Sequence, residues 1–156
     1  MGDQHRTRVW RNGKLEREDF PASEVSDYLE QPDTLVWLDL APPDPEHFKL
    51  IAEELGLDAL AVEDALEAQE RAKVDRYPDY LFLNAYAVRQ GSAESRLTTS
   101  YISAFVTERA LVTVRERDAD FDIEDLARRW DAEADLAEHG VAYLPARRRR
   151  CRCPGP

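Results

Sequence analysis

From Leu35 to Leu40 the chain reads LVWLDL, apolar on both sides of the strand alternation, with Asp39 its one charged member. A run without a polar face predicts a central strand covered on both sides. The apolar period then changes. Phe48, Ile51, Ala52 and Leu55 fall at i, i+3, i+4 and i+7, which lines one face of a helix. Asp44 is placed to cap it, Pro45 suits its first position, and Glu46 lies at the positive end of the helix dipole. Gly56 stops it where a left-handed residue is needed. Asp58 restarts a shorter helix to about Leu66, with Leu60, Ala61 and Ala65 predicted to face inward.

The flanking segments alternate more like strands. Thr7–Arg11 and Lys14–Arg17 surround Asn12-Gly13, a pair that accepts the positive φ angles of a two-residue hairpin turn. A short helix is predicted from Ser23, as its cap, to about Glu30, ended by Gln31-Pro32-Asp33. Lys73–Tyr77, Tyr80–Arg89, Thr98–Thr107 and Ala110–Arg115 read as strands. The polar joint 90–95 makes the second and third an antiparallel hairpin, and Glu108-Arg109 makes a tight turn. Asp122 is the expected cap of a last helix carrying Ile123, Leu126, Ala127, Trp130, Ala134 and Ala137 at helical spacing. The fold class this order predicts is α/β (α+β): a mixed, largely antiparallel sheet with helices on its faces.

Composition sharpens the reading. With 156 residues, 43% of them hydrophobic, the chain is sized for a single core. The formal charge is −11, yet five of the 21 basic residues crowd into PARRRRCRCPGP at the end, so the body is more acidic than the total suggests. Such a body repels nucleic acid and anionic lipid and gathers cations. Residues 145–156 are expected to be a disordered tail, since Pro145 interrupts the preceding segment and nothing after it can pack. Cys151 and Cys153 stand alone in that tail, too few for a zinc site and without a disulfide framework in the body. No apolar run is long enough for a membrane span, nor is there the apolar stretch of a signal peptide, so the chain as written is expected in the cytoplasm.

Enzymatic signatures are missing. The six glycines form no phosphate loop, and His5, His47 and His139 fall in unrelated elements without a metal-binding spacing. Ser100 and Ser103 lack a nucleophile-elbow context, and no cysteine in the body can pair with a histidine. The expectation is that the protein is not an enzyme; a hydrolase built on scattered carboxylates is the weakest class. Glu63-Asp64 on the second predicted helix is more informative. Adjacent helical residues point about 100° apart, so these carboxylates splay. They suit oxygen donation at an edge, where another surface completes a hard-cation shell, better than paired acid–base catalysis. By itself an adjacent acidic pair is most often an ordinary solvated surface. Around it Glu67, Asp75 and Asp79 add negative charge that Arg71, Lys73 and Arg76 offset, as a binding loop or a set of solvated ion pairs would.

The order Trp37-Leu38-Asp39-Leu40, helix, Val62-Glu63-Asp64-Ala65-Leu66, then RAKVDRYPDYLFL over residues 71–83, resembles the N-terminal cytosolic domain of CorA-type magnesium transporters. That family places a W-[IL]-D strand before a helix, then an H-P-L-x-x-E-D turn, then R-P-K-x-[ED]-x-[YF]-x-[ND]-Y. Leu111–Arg115 is similar to its later strand, and Gly140–Leu144 to the opening of its long helical region. The resemblance covers roughly residues 5–144. It implies a CorA-like cytosolic regulatory domain over 1–144, and a homopentamer in full-length members, held closed by magnesium bound between protomers. By match of motif it assigns Glu63 and Asp64 to half of that metal site, with Mg²⁺ as a weak regulatory ligand and divalent cations as partners. Two positions depart: Asp58-Ala59-Leu60 stands for His-Pro-Leu, and Ala72 for Pro. The family's stalk, membrane helices and G-M-N motif are not in this sequence, so membrane association would come only through those parts, and self-association here is expected to be weak or absent. Transport by this chain alone is not expected, and the tail is read as a frameshifted or artificially ended continuation. The alternative class is a free-standing soluble binding or subunit-interaction module with the same fold.

Overall fold

The computed structural model describes residues 5–67, 71–90, 97–116 and 123–132. Among the described residues seven strands form one sheet. In chain order they are β1 (His5–Arg11), β2 (Lys14–Glu18), β3 (Thr34–Leu40), β4 (Lys73–Arg76), β5 (Tyr80–Gln90), β6 (Leu97–Thr107) and β7 (Ala110–Arg115). Across the sheet the order is β2-β1-β3-β7-β6-β5-β4. Every pairing is antiparallel except β3 with β7, where Val36 to Leu40 run beside Ala110 to Val114. The mixed, largely antiparallel sheet expected from the element order is thus present. The single parallel contact joins an N-terminal half (β1–β3) to the β4–β7 meander.

Local chemistry explains most boundaries. Asn12 and Gly13 hold φ of 49° and 77°, the double positive turn that closes the β1–β2 hairpin. The second turn is closed by a side chain: the Thr107 hydroxyl accepts from the Ala110 amide at 2.8 Å. Helix α1 (Val25–Glu30) is preceded by a 3₁₀ turn, Ala22–Glu24. Ser23 therefore lies inside the turn and caps nothing, contrary to the sequence reading; Pro21, with φ near −58°, starts the turn instead. The carboxyl end of α1 is tied down from across the fold, since the Arg109 guanidinium donates to the carbonyls of Leu29 and Gln31 and the Thr34 hydroxyl donates to those of Tyr28 and Gln31.

Helix α2 (Pro45–Glu54) begins as predicted, with Asp44 accepting from the Glu46 amide at 3.0 Å, and ends at Gly56 with φ 67°. Helix α3 (Ala59–Leu66) is capped by Asp58, which accepts from the Leu60 amide at 2.9 Å. Leu60 corrects an expectation: it is 70% exposed, while Ala61, Val62 and Ala65 are buried. The inward stripe of so short a helix passes through Val62, and small residues let it lie close to the sheet. Helix α4 (Ile123–Ala132) follows on the other side. Asp122, Ala134 and Ala137, the 90–95 joint, Gly140–Leu144 and the arginine-rich tail fall wholly or partly outside the described residues.

The strand period sorts residues onto two faces. Leu38, Leu40, Val112 and Val114 join Phe82 and Phe105 beneath α2 and α3, together with Phe48, Ile51, Ala61 and Val62. Each of the larger of these side chains contributes about 1.5–3 kcal/mol relative to exposure. Trp37, Leu111, Ala104 and Val106 point the other way, to Trp10, Ile123 and Ala127. A third cluster, Val9, Phe20, Val25 and Val36, seats α1. Strand β3 is buried along both faces, as its sequence requires. No helix among the described residues is long and apolar enough to cross a membrane.

Candidate functional site

Of the constellations among the described residues that combine carboxylates with cationic side chains, two differ most in depth. The first lies mid-sheet. Asp39 is 2% exposed on the α4 face of β3, two residues from Trp37. Strand pairing sets β3 beside β7, with Asp39 level with Thr113. The Thr113 hydroxyl donates to Asp39 Oδ1 at 2.6 Å, and the Trp37 indole donates to the Thr113 oxygen at 3.1 Å. Arg115 closes the other side, with Nη2 2.8 Å from Oδ2 and Nε 3.1 Å from both carboxylate oxygens. A buried charge is tolerable when paired and fully hydrogen-bonded, and this network satisfies both oxygens. Its outer rim is a cleft between the sheet and α4, lined by Arg6, Arg8, Glu18, Asp19, Trp37, Asp39, Ile123 and Ala127. There Arg8 pairs with Asp131, which also accepts from the Trp10 indole at 3.0 Å, and Arg6 pairs with Glu124.

The second constellation contains the acidic pair read from the sequence. Because Ala61, Val62 and Ala65 face the core, the 100° step leaves Glu63 exposed and turns Asp64 toward the edge of the sheet. The two carboxylates splay as expected. Strand β4 is that edge, and its alternation places Lys73 and Asp75 on one side with Val74 and Arg76 on the other. Lys73 Nζ donates to Asp64 Oδ2 at 2.6 Å and lies 3.0 Å from Asp75 Oδ2. It also sits 5.5 Å over the Phe82 ring. Hydrogen bonding to Asp64, then to Asp75, raises the Lys73 pKa above the usual lysine range. All three side chains stay open to water: 34% for Lys73, 32% for Asp64 and 44% for Asp75.

The same edge is braced by two tyrosines. Tyr77 and Tyr80 stack with ring centres 4.5 Å apart, and the Tyr80 hydroxyl accepts from the Asp58 amide at the start of α3. Burial raises the pKa of both phenols. So α3, which presents Glu63 and Asp64, is fixed to β4 and β5 at both ends.

As a cation site this arrangement is incomplete. A hard divalent ion takes about six oxygens, and among the described residues no group of three or more histidine, cysteine, aspartate or glutamate side chains is placed to hold a metal. Glu67, Asp79 and Arg71 are not drawn into the Asp64 cluster by any bond described here. His5 and His47, remote in sequence, meet edge to face at 6.0 Å. Sequence reasoning counted Lys73 only as one of three basic residues offsetting the nearby acids; K-x-D on a strand announces the shared face of Lys73 and Asp75, while the pairing with Asp64 has no local signal. It also missed the Asp39–Arg115 pair, whose signal was an acid inside a strand apolar on both faces.

Comparison with known proteins gives these residues a setting. The CorA-like Mg2+ transporter protein family model matches residues 32–143. No match was found among curated protein sequences. Among solved structures, full-length CmaX aligns over 90% of this chain and 43% of its own, with 19% identity and TM-score 0.67. The complete CorA magnesium transporter from Methanocaldococcus jannaschii aligns over 89% and 41%, with 19% identity and TM-score 0.62. The ZntB cytoplasmic domain from Vibrio parahaemolyticus aligns over 80% and 49%, with 13% identity and TM-score 0.57. At such identities the structures show the fold alone, and this chain spans about four-tenths of the length of the full-length proteins. The family match takes in β3, both helices of the acidic layer and the β4–β7 meander. The chain belongs to the CorA-like Mg²⁺ transporter family and has the fold of its soluble domain.

Proposed function

We propose that the chain is a cytosolic, cation-sensing regulatory domain of a CorA-like divalent-cation transporter, and that Glu63 and Asp64 provide one protomer's share of a site completed by a neighbouring subunit. The observation that carries this reading is the position of the acidic pair. A family segment that the resemblance links to magnesium sensing is held here on a short, well-anchored helix, at a solvent-facing edge instead of in a pocket. An edge donating one or two carboxylates suits magnesium, which keeps several waters and accepts few protein ligands. The acidic surface raises the local cation concentration without creating a closed site.

Under this reading the domain binds and does not catalyse. Transport, on this reading, is the work of the membrane helices that the resemblance implies for full-length members of the family. Isothermal titration of Mg²⁺ into the 156-residue chain tests it: binding is expected on the order of millimolar, as for an open site with few ligands, and Asp64→Ala weakens it. Sub-micromolar affinity would show a complete site elsewhere on the chain, and an affinity unaffected by Asp64→Ala would remove Asp64 from the site.

A further inference from the structure

We infer that helix α4 is a detachable cover on the sheet and that Arg8 is its two-position latch, gripping Asp131 when α4 is seated and turning to Glu18 on β2 when α4 lifts. The inference is independent of the cation-sensing reading, since it concerns the opposite face of the sheet. Arg6, Arg8 and Trp10 alternate onto one face of β1. Glu124 and Asp131, seven residues apart, share one face of α4. The two rows meet: Arg6 pairs with Glu124, while Arg8 and the Trp10 indole both donate to Asp131. Asp131 stands in the last turn of α4, where the negative end of the helix dipole disfavours a carboxylate. Its partners on β1 explain that position, and the helix does not. Ile123 and Ala127 add buried apolar contact with the Trp10 and Trp37 cluster.

Three features make this grip reversible. The Arg8 hydrogen bond to Asp131 and its approach to Glu18 both run through Nη2, while Nε is buried and has no partner. The seated state therefore carries an unsatisfied donor. Arg115, by contrast, holds Asp39 through Nε and Nη2 together. Second, Glu18 is the direct cross-strand partner of Arg8, 3.6 Å from Nη2 and more than half exposed. A guanidinium that loses Asp131 finds another carboxylate within a side-chain rotation, so no charge is stranded. Third, the Arg6–Glu124 pair is open to water, and salt screens it. Lifting α4 uncovers Trp10, Trp37 and Leu111 and widens the cleft over Asp39. The bonds from Thr113 and Arg115 to Asp39 lie within the sheet and stay made.

Amide hydrogen exchange in the 156-residue chain tests this, with ionic strength raised from about 0.01 M to about 1 M so that the screening length falls from about 30 Å to about 3 Å. The α4 amides and the Trp10 indole N–H are expected to exchange about ten-fold faster at the higher salt, while β6 and β7 keep their protection. At low salt Asp131→Asn gives the same selective acceleration, on the scale of one charged hydrogen bond. Glu18→Gln is the discriminating variant. It removes the carboxylate that receives Arg8 in the lifted state, so α4 exchange slows about two- to three-fold; a merely structural network would lose protection or be indifferent. Exchange of α4 in step with β6 and β7 at both salt concentrations, in the wild-type chain, overturns the detachable cover. A Glu18→Gln chain whose α4 exchanges as fast as wild type, or faster, overturns the two-position latch.

Discussion

Asp39 and Asp64 are both aspartates paired with a cationic side chain, and the fold treats them in opposite ways. Asp39 sits mid-sheet, 3% exposed at its side chain, with both oxygens bonded and Arg115 only 10% exposed opposite it. Asp64 lies on a helix flank at the sheet's edge, about a third exposed, with the Lys73 ammonium 2.6 Å from Oδ2. Depth decides the difference. In the interior a lost partner leaves a charge that water cannot reach, so the pairing is obligatory; at the edge water replaces the partner at small cost. The lesson is that pairs of similar chemistry differ in worth to the fold with depth: the buried pair is one it cannot lose, and the exposed pair is one it can spare.

The comparison breaks first at Asp39. Asp39→Ala leaves the Arg115 guanidinium without its partner and is expected to lower unfolding stability by about 3–5 kcal/mol in urea; a loss below about 1 kcal/mol would show that the buried network is not structural. Removing only the far donor sharpens the point. Trp37→Phe keeps the ring in its cluster but loses the indole bond to Thr113, for an expected loss of about 1 kcal/mol in the same assay. At the edge, Asp64→Ala should cost less than about 1 kcal/mol, and equality with Asp39→Ala would erase the contrast between the two sites.

The smallest effect lies in pH. The raised Lys73 pKa means that the folded chain keeps a proton the unfolded chain gives up. Its stabilisation is therefore full below the unfolded lysine value, about 10.4, and lost as pH rises through the folded value. Burial of Tyr77 and Tyr80 acts with the same sign above about pH 10, because the folded state resists forming their phenolates. Melting temperature should therefore fall on the alkaline side of about pH 10, and fall less steeply in Lys73→Met. An identical alkaline slope in that variant would assign the decline to the tyrosines.

Much of the frame was legible along the chain because its signals are local. The Asn12-Gly13 turn, the Asp44 and Asp58 caps and the Gly56 stop each depend on a few neighbouring residues, and each stands where the pattern put it. Leu60 and Ser23 were misjudged for the same reason. A helix of eight residues admits more than one inward stripe, and the approach of the sheet chose the one through Val62. Likewise, whether Ser23 caps or sits inside a turn depended on how Pro21 led the chain off β2.

The sequence by itself determined the elements, the burial of β3, and the splay of Glu63 and Asp64, all consequences of backbone period and side-chain polarity. Only tertiary structure decided the partners. The parallel pairing of β3 with β7 carries Thr113 and Arg115 to Asp39 across more than seventy residues, and the packing of α3 on the sheet edge brings Lys73 to Asp64. Charges become a lock or an exchangeable site according to how much water the fold leaves around them. Strand order and helix placement set that quantity, and the local pattern does not encode it.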